Sequence, residues 1–348
     1  VGMERIVSPL TKESQSPGII RLETKDDEIL LKGFNKRKLA AMPKRILPGH
    51  GACPGCGIFP SLNTVMRGIE GNVVVLFHTG CAMVVTTGYP FSSHRVTYIH
   101  NLFQNGAATM SGLVEAYHTL VRKGRLPGDE DITFIMVTGD GGHDIGPGPS
   151  IGAAIRGHKM ILIEYDNEAY MNTGTQLSFT TPLGHQTSTS GVGPGERGKA
   201  FHHKDTAQIM AACHIPYVFT GIESNARDLV RKAAIAQKMA GEEGFVFGKI
   251  LSICPLGWRT VEKDSVDIMQ RAVDCCFFPL YEVTKGITRI TYNPEEKGNK
   301  VPVIEWLKTM GKTRHLTKPE NADIVEEFQR EVDRRWYRLK ALHDNPML

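Results

Sequence analysis

Five runs of apolar residues recur along the chain, and each closes in a turn carrying glycine or a polar side chain. They read NVVVLFHTGC (72–81), ITFIMVTGDGG (132–142), MILIEYDNE (160–168), IPYVFTG (215–221) and GFVFGKILSICP (244–255). Runs that stay apolar on successive residues suit strands buried on both faces, as in a parallel sheet. Stretches of helical character lie between them, including Ser61 to Arg67, Ala207 to Cys213 and Ala226 to Ala240. Strand, turn and helix in alternation predict an α/β fold, a mostly parallel sheet with helices on both faces. Ligands of such folds sit beyond the carboxyl ends of the strands. Cys81, Asp140, Asn167 and Cys254 each follow directly on an apolar run, so the pattern predicts that all four share one rim.

The flanks read differently. Residues 1–47 lack clear periodicity and read as an extended arm, leaving 48–290 as the α/β domain and 291–348 as a helical extension. Within the extension, Asn321 to His343 places Ile324, Phe328, Val332, Trp336 and Leu339 at helical spacing, a stripe suited to packing or subunit contact. No internal repeat or low-complexity segment is evident.

Composition narrows the class. The chain has 348 residues, 41% hydrophobic and 22% charged, as in an ordinary globular protein. No run reaches the roughly 18 apolar residues of a membrane span, and the N-terminus has no apolar core of a signal peptide. Seven cysteines without such a signal predict reduced thiols in the cytoplasm. A net charge of +4 gives no case for nucleic acid, and nothing points to a membrane. LKGFNKRKLAAMPKR (31–45) gathers six Lys/Arg and no acid, a solvated surface arm or a docking patch for an acidic partner.

Candidate chemistry concentrates in TGDGGHDIGPGPSIGAAIRGHKMILIEYDNEAYMNTGTQ (138–176). Twenty-five residues, 142–166, separate the Gly139-Asp140-Gly141 turn from Asn167. A crossover of that length sets two strand ends side by side, so Asp140 and Asn167 offer oxygens to one hard cation, as Mg²⁺ prefers. The glycines, Gly142 included, let backbone N–H groups approach phosphates at a helix N-terminus. This arrangement resembles the thiamine diphosphate motif. Such a cofactor also needs a carboxylate against its aminopyrimidine ring. None is identifiable in this chain, which therefore looks like half of an active site.

GHGACPGCG (49–57) sets two cysteines three apart, a spacing open to a zinc site, a redox disulfide or an iron–sulfur cluster. Zinc usually shows a second close pair or nearby histidines. Here two single cysteines follow instead, Cys81 in HTGCAM and Cys254 in SICPLGW, both at strand ends. A Cys₄ set with proline after the last cysteine suits a [4Fe–4S] cluster. Cys213, Cys275 and Cys276 read as core residues. His78, His100 and His143, near the rim, read as acid–base groups or as hydrogen-bonding scaffold.

ACPGCG, TGC, GDGG, DNEAYMNTGTQ, CPLGW and FFPLYEV (277–283) together resemble the β subunit of the 2-oxoacid:ferredoxin oxidoreductases, the pyruvate branch especially, over roughly residues 45–285. The resemblance implies that Cys53, Cys56, Cys81 and Cys254 hold a [4Fe–4S] cluster. It implies that Asp140, Asn167 and the Ala169 carbonyl bind Mg²⁺, that Asn172 and Thr173 lie near thiazolium and substrate, and that Gly55 and Gly80 lie close to the cofactor. The implied activity is oxidative decarboxylation of a 2-oxoacid to acyl-coenzyme A and CO₂, with single electrons leaving through the cluster to ferredoxin. The implied partners are an α subunit with the pyrimidine-binding domain and activating glutamate, and γ-type and ferredoxin-like subunits. HDIGPGPS (143–150) departs from the usual segment, which leaves aryl glyoxylates, oxalate and branched 2-oxoacids beside pyruvate. Two readings of other classes are a non-redox thiamine decarboxylase or synthase and a non-catalytic electron carrier.

Overall fold

The computed structural model describes residues 19–25, 28–128 and 132–348. A hairpin of β1 (Ile20–Lys25) and β2 (Glu28–Phe34) and a short helix α1 (Lys36–Ala41) come first. The main body begins α2 (Ile58–Arg67), β3 (Asn72–His78), α3 (Cys81–Val84), β4 (Thr97–Asn101), α4 (Gly106–Arg122) and β5 (Ile132–Gly139). Then follow α5 (Asp140–Ile145), α6 (Pro147–Ile155) and β6 (Ile161–Asp166). A long irregular stretch holds only the two-residue strands β7 (Val192–Gly193) and β8 (Glu196–Arg197). It leads to α7 (Thr206–Ala211), β9 (Tyr217–Ile222), α8 (Ala226–Glu242), β10 (Val246–Leu251), α9 (Pro255–Trp258) and α10 (Ser265–Asp274). A second hairpin, β11 (Leu280–Thr284) and β12 (Ile287–Tyr292), precedes α11 (Val303–Leu307) and α12 (Ala322–Asp344).

Eight strands form one sheet in the order β12-β11-β9-β10-β6-β5-β3-β4. The six from β9 to β4 are parallel, and the β11–β12 hairpin adds an antiparallel edge. Successive residues of one strand feed opposite cores. Phe134 and Met136 of β5 pack on one face with Leu162 and Phe247, while Ile135 and Val137 pack on the other with Ile163 and Ile250. Continuous apolar runs are what a sheet covered on both faces demands.

The helix expected from Asn321 is α12, and all five residues of its stripe are buried. At roughly 1.5–3 kcal/mol per fully buried large apolar side chain, that stripe secures the extension to the sheet. Some elements have no counterpart in the sequence reading. β4 is a half-exposed edge strand without an apolar run, and α4 dilutes its buried Ala107, Met110 and Val114 with glycine and polar residues. The expected N-terminal arm holds β1, β2 and α1, with residues 1–18 and 26–27 outside the described residues.

One basic residue of the 31–45 patch is committed to the fold. The Arg45 guanidinium donates to the carbonyls of Met66 and Ile69, both at 2.7 Å, and of Gly71 at 2.5 Å, capping the end of α2. Lys36, Arg37, Lys38 and Lys44 remain exposed. Cys275 and Cys276 are buried as expected, whereas Cys213 lies half-buried at the rim of the core.

Candidate functional site

Neighbouring strands β3 and β5 send their following connections in opposite directions, β3 to β4 at one side and β5 to β6 at the other. Such a divergence opens a crevice at the carboxyl end of the sheet. Gly80 and Cys81 line one side of it, Gly139 and Asp140 the other. The registers Gly139↔Tyr165 and Asp166↔Leu251 carry the same rim on to Asn167 and Cys254. Gly80 tolerates no side chain, because a Cβ there would meet the Tyr165 hydroxyl at 2.7 Å. Gly141 and Gly142 are buried in the first turn of α5.

Asp140 is almost fully buried, and burial followed by the charge of Asp166 pushes its carboxyl well above the usual range. Ser178 Oγ donates to its Oδ2 at 2.6 Å and Thr180 Oγ1 to the same oxygen at 2.9 Å. The Asn167 side-chain amide donates to the Ala169 carbonyl at 2.9 Å and to Asp140 Oδ1 at 3.0 Å. Turned the other way, the amide would offer its oxygen beside these two, a carboxylate, amide and carbonyl set of the kind Mg²⁺ takes.

The turn carrying these oxygens is held from behind. Glu168, between Asn167 and Ala169, sits in the left-handed region at φ 69°. Its carboxylate is buried against the Lys312 ammonium, and Thr181 Oγ1 donates to its carbonyl at 2.6 Å. Trp258 Nε1 donates to the Asn167 carbonyl at 2.9 Å. The Lys199 ammonium donates to the carbonyls of Ser178, Phe179 and Thr181, fixing the loop that presents the two hydroxyls.

The histidines serve as scaffold in this geometry. His78 Nδ1 lies 2.9 Å from Thr138 Oγ1, and burial lowers the ring to about 3, so it is neutral at physiological pH. His143 Nδ1 lies 2.5 Å from Glu164 Oε2, inside a network in which Lys249 Nζ reaches Asp166 Oδ2 at 2.9 Å. His100, exposed, meets Thr79 Oγ1 at 2.8 Å. In the HDIGPGPS segment Asp144 pairs with Lys204, and Pro147 opens α6 at its first turn, where no N–H donor is needed.

Two backbone hydrogen bonds draw the C-x-x-C loop across the rim. Gly51 N donates to Val85 O at 2.8 Å, beside the helix that Cys81 starts, and Gly57 N donates to Ile253 O at 3.0 Å, next to Cys254. Gly55 adopts φ 74° with its α-carbon against Glu262, where a Cβ would approach to 2.7 Å. Burial raises Cys56 to about 11 and Cys81 to about 12, and the neighbouring thiols Cys53 and Cys254 add to both shifts. Such thiols become thiolates only against a strong local positive charge, as a bound metal would supply. Among the described residues no three His, Cys, Asp or Glu side chains converge on a single-ion position.

Asn172 and Thr173 lie exposed on a loop closed by Tyr170 N to Gln176 O at 2.9 Å. The structure does not bring them into contact with Asp140. Ser178, Thr180, Glu168, Trp258 and Lys312 were not singled out in the sequence. A lysine within an apolar strand, Lys249, and the acid-rich end of β6 were the signals available for the polar network.

Residues 78–247 match the family model "Thiamine pyrophosphate enzyme, C-terminal TPP binding domain". The chain is 40% identical to pyruvate synthase subunit PorB of Thermotoga maritima over 90% of this chain and 95% of that protein. It is 40% identical to the PorB subunit of Methanocaldococcus jannaschii over 83% and 94%. It is 33% identical to the ketoisovalerate oxidoreductase subunit VorB of Pyrococcus horikoshii over 88% and 96%. With a thiamine diphosphate-binding domain over residues 78–247 and these relatives along nearly its whole length, the chain belongs to the 2-oxoacid:ferredoxin oxidoreductases as a β subunit.

Proposed function

We propose that this β subunit serves a coenzyme A-dependent oxidoreductase whose 2-oxoacid is pyruvate, with Mg²⁺ on Asp140, Asn167 and Ala169 and a [4Fe–4S] cluster on Cys53, Cys56, Cys81 and Cys254. The observation that supports this reading is one rim that gathers Asp140, the Asn167 amide and the Ala169 carbonyl and, at adjoining strand ends and on the loop hydrogen-bonded to them, four cysteines. Bound thiamine diphosphate would supply the nucleophilic carbon and electron sink for cleaving the bond between the 2-oxo carbon and the carboxylate.

The chain's own residues do the positioning. Ser178 and Thr180 hold one oxygen of Asp140, which leaves the other turned toward Asn167 and Ala169. The start of α5 presents backbone N–H groups where a diphosphate would lie. Asn172 and Thr173, on their exposed loop, are available to substrate at the open side. An α subunit closing that side would contribute the activating carboxylate. Exposed apolar side chains beside both single cysteines, Tyr89 and Phe91 after Cys81 and Leu256 after Cys254, suit such a contact. γ-type and ferredoxin-like subunits, then ferredoxin, would take the electrons onward.

Pyruvate is favoured over a branched 2-oxoacid because relatives named for pyruvate are 35–40% identical and those named for ketoisovalerate 32–33%. The test is viologen reduction by the anaerobically purified complex with a panel of 2-oxoacids, with and without coenzyme A. Coenzyme A-dependent activity greatest on pyruvate supports the assignment. Activity greatest on 2-ketoisovalerate or phenylglyoxylate overturns the substrate, and no reduction with any 2-oxoacid overturns the whole reading.

A further inference from the structure

A cavity of about 200 Å³ lies between the sheet and the C-terminal extension, walled by α7, the 276–279 turn, β11 and α12. None of the proposed metal or cluster ligands lines it. Its walls are largely apolar, formed by Phe277, Phe278, Pro279, Val332, Leu339 and Leu342. Most of its charged lining is already committed. Lys249 pairs with Asp166, Lys204 with Asp144, and Arg334 with Glu331, while Asp205 caps α7 through Gln208 N at 3.2 Å. Arg338, exposed at the mouth, has no ion pair or hydrogen bond among the described residues.

A second unmet donor comes from His203, which also lines the cavity. Arg335 Nη1 lies 2.7 Å from His203 Nε2, and a guanidinium can only donate, so Nε2 is the acceptor. Burial, then the charge of Arg335, holds the ring well below its usual pKa, so it is neutral and its one hydrogen sits on Nδ1. That nitrogen is buried without a hydrogen-bond partner among the described residues. A buried N–H left unpaired costs free energy that an acceptor would recover. We propose that this cavity binds a small carboxylate with a ring-sized apolar body, the body lying among Phe278, Leu339 and Leu342 and the charge shared by Arg338 and His203. Size sets the body, since apolar cavities of about 150 Å³ take a benzene ring. The two unmet donors set the head, because a neutral apolar molecule would leave both unanswered. A guanidinium also matches a carboxylate bidentately. Asp166 and Asp205, on the same lining, disfavour a dianion such as phosphate.

The test titrates benzoate, phenylacetate, benzyl alcohol and inorganic phosphate into the assembled complex. Binding is read by calorimetry and by the rise in melting temperature that a ligand of the folded state produces. Three variants accompany the wild type. Arg338→Gln removes the free cation, His203→Gln keeps an acceptor for Arg335 but removes the Nδ1 donor, and Leu342→Trp fills the cavity. Benzoate or phenylacetate should bind saturably, and saturating pyruvate should not displace it. Benzyl alcohol and phosphate should bind at least about tenfold more weakly. Arg338→Gln should weaken the acid at least about tenfold and His203→Gln at least about threefold. Leu342→Trp should abolish binding, and Arg338→Gln should reduce viologen like wild type when no acid is present. No saturable binding of either acid overturns the site, as does displacement by pyruvate. Benzyl alcohol or phosphate bound as tightly as the acids overturns the ligand class. Wild-type affinity in Arg338→Gln or Leu342→Trp overturns the location, and in His203→Gln it removes His203 from the head group. Should His203→Gln not fold, the exposed substitution Arg338→Gln decides.

Discussion

Thr180 offers a sharp test of the metal-binding role proposed for the Asp140 carboxylate. Its Oγ1 lies 2.9 Å from Asp140 Oδ2 and 2.8 Å from Asp166 Oδ1, and a hydroxyl has one hydrogen for the two. Burial, followed by the charge of Asp166, pushes the Asp140 carboxyl upward, against the ionised form a cation needs. With Mg²⁺ bound, Asp140 must be ionised, and hydrogen bonding to the ionised form favours it. The hydroxyl's contribution therefore falls mainly on the metal-bound state. Thr180→Val keeps the shape and removes the donor. A hydrogen bond to a charged group contributes about 1.5–3 kcal/mol. At about 1.4 kcal/mol per tenfold, Mg²⁺ affinity should fall roughly tenfold to a hundredfold. Thr180→Ser restores the hydroxyl and should restore binding. The assay is calorimetric titration of Mg²⁺ into the thiamine diphosphate-saturated complex, with thermal melts to confirm folding. A Thr180→Val complex that binds Mg²⁺ like wild type would refute the reasoning.

Other outcomes follow from the same geometry. Cys254→Ser should abolish or alter the cluster's EPR signal and lower iron content, whereas Cys275→Ser, buried at the end of α10, should leave both unchanged; equal effects would displace Cys254 from the ligand set. Trp258→Phe leaves the Asn167 carbonyl without its 2.9 Å donor, for a loss of roughly 1–3 kcal/mol in denaturant unfolding, and a loss below about 0.5 would show the bond to be dispensable. Glu164 is held down at about 2: burial raises it, but Lys204, Lys249 and His143 outweigh burial. Because its folded pKa lies below the unfolded value, its stabilisation is present above about pH 4.5 and is lost as pH falls toward 2. The shift corresponds to about 3 kcal/mol. Unfolding free energies measured between pH 7 and 3 should decline steeply in wild type and less in Glu164→Gln, and parallel curves would contradict the assignment.

Legibility in the sequence followed the range of the interactions. The parallel strands were readable because both faces of β5, β6 and β10 are buried, which leaves uninterrupted apolar runs. The rim was readable because Gly139-Asp140 and Asn167 end two such runs a crossover apart. β4 and α4 were not, since an edge strand and a glycine-diluted helix carry little period. Ser178, Thr180 and Lys312 were hidden for another reason. They act on Asp140 and Glu168 across 38, 40 and 144 residues of chain, and only the packing of the irregular 170–205 stretch and the extension brings them there. The extension reads as packing in the sequence because α12 carries the visible stripe, while one lysine upstream enters the site.

The thiols at the rim come from three separate stretches, and backbone hydrogen bonds of Gly51 and Gly57 fasten the loop of Cys53 and Cys56 to the other two. Cys53 and Cys254 are about 200 residues apart in the chain. No chain shorter than 254 residues can present all four, because Cys254 lies beyond β10. The cluster proposed for these thiols could therefore be completed only after that stretch is made, and until then the exposed Cys53 and its neighbour Cys56 would be an uncapped dithiol.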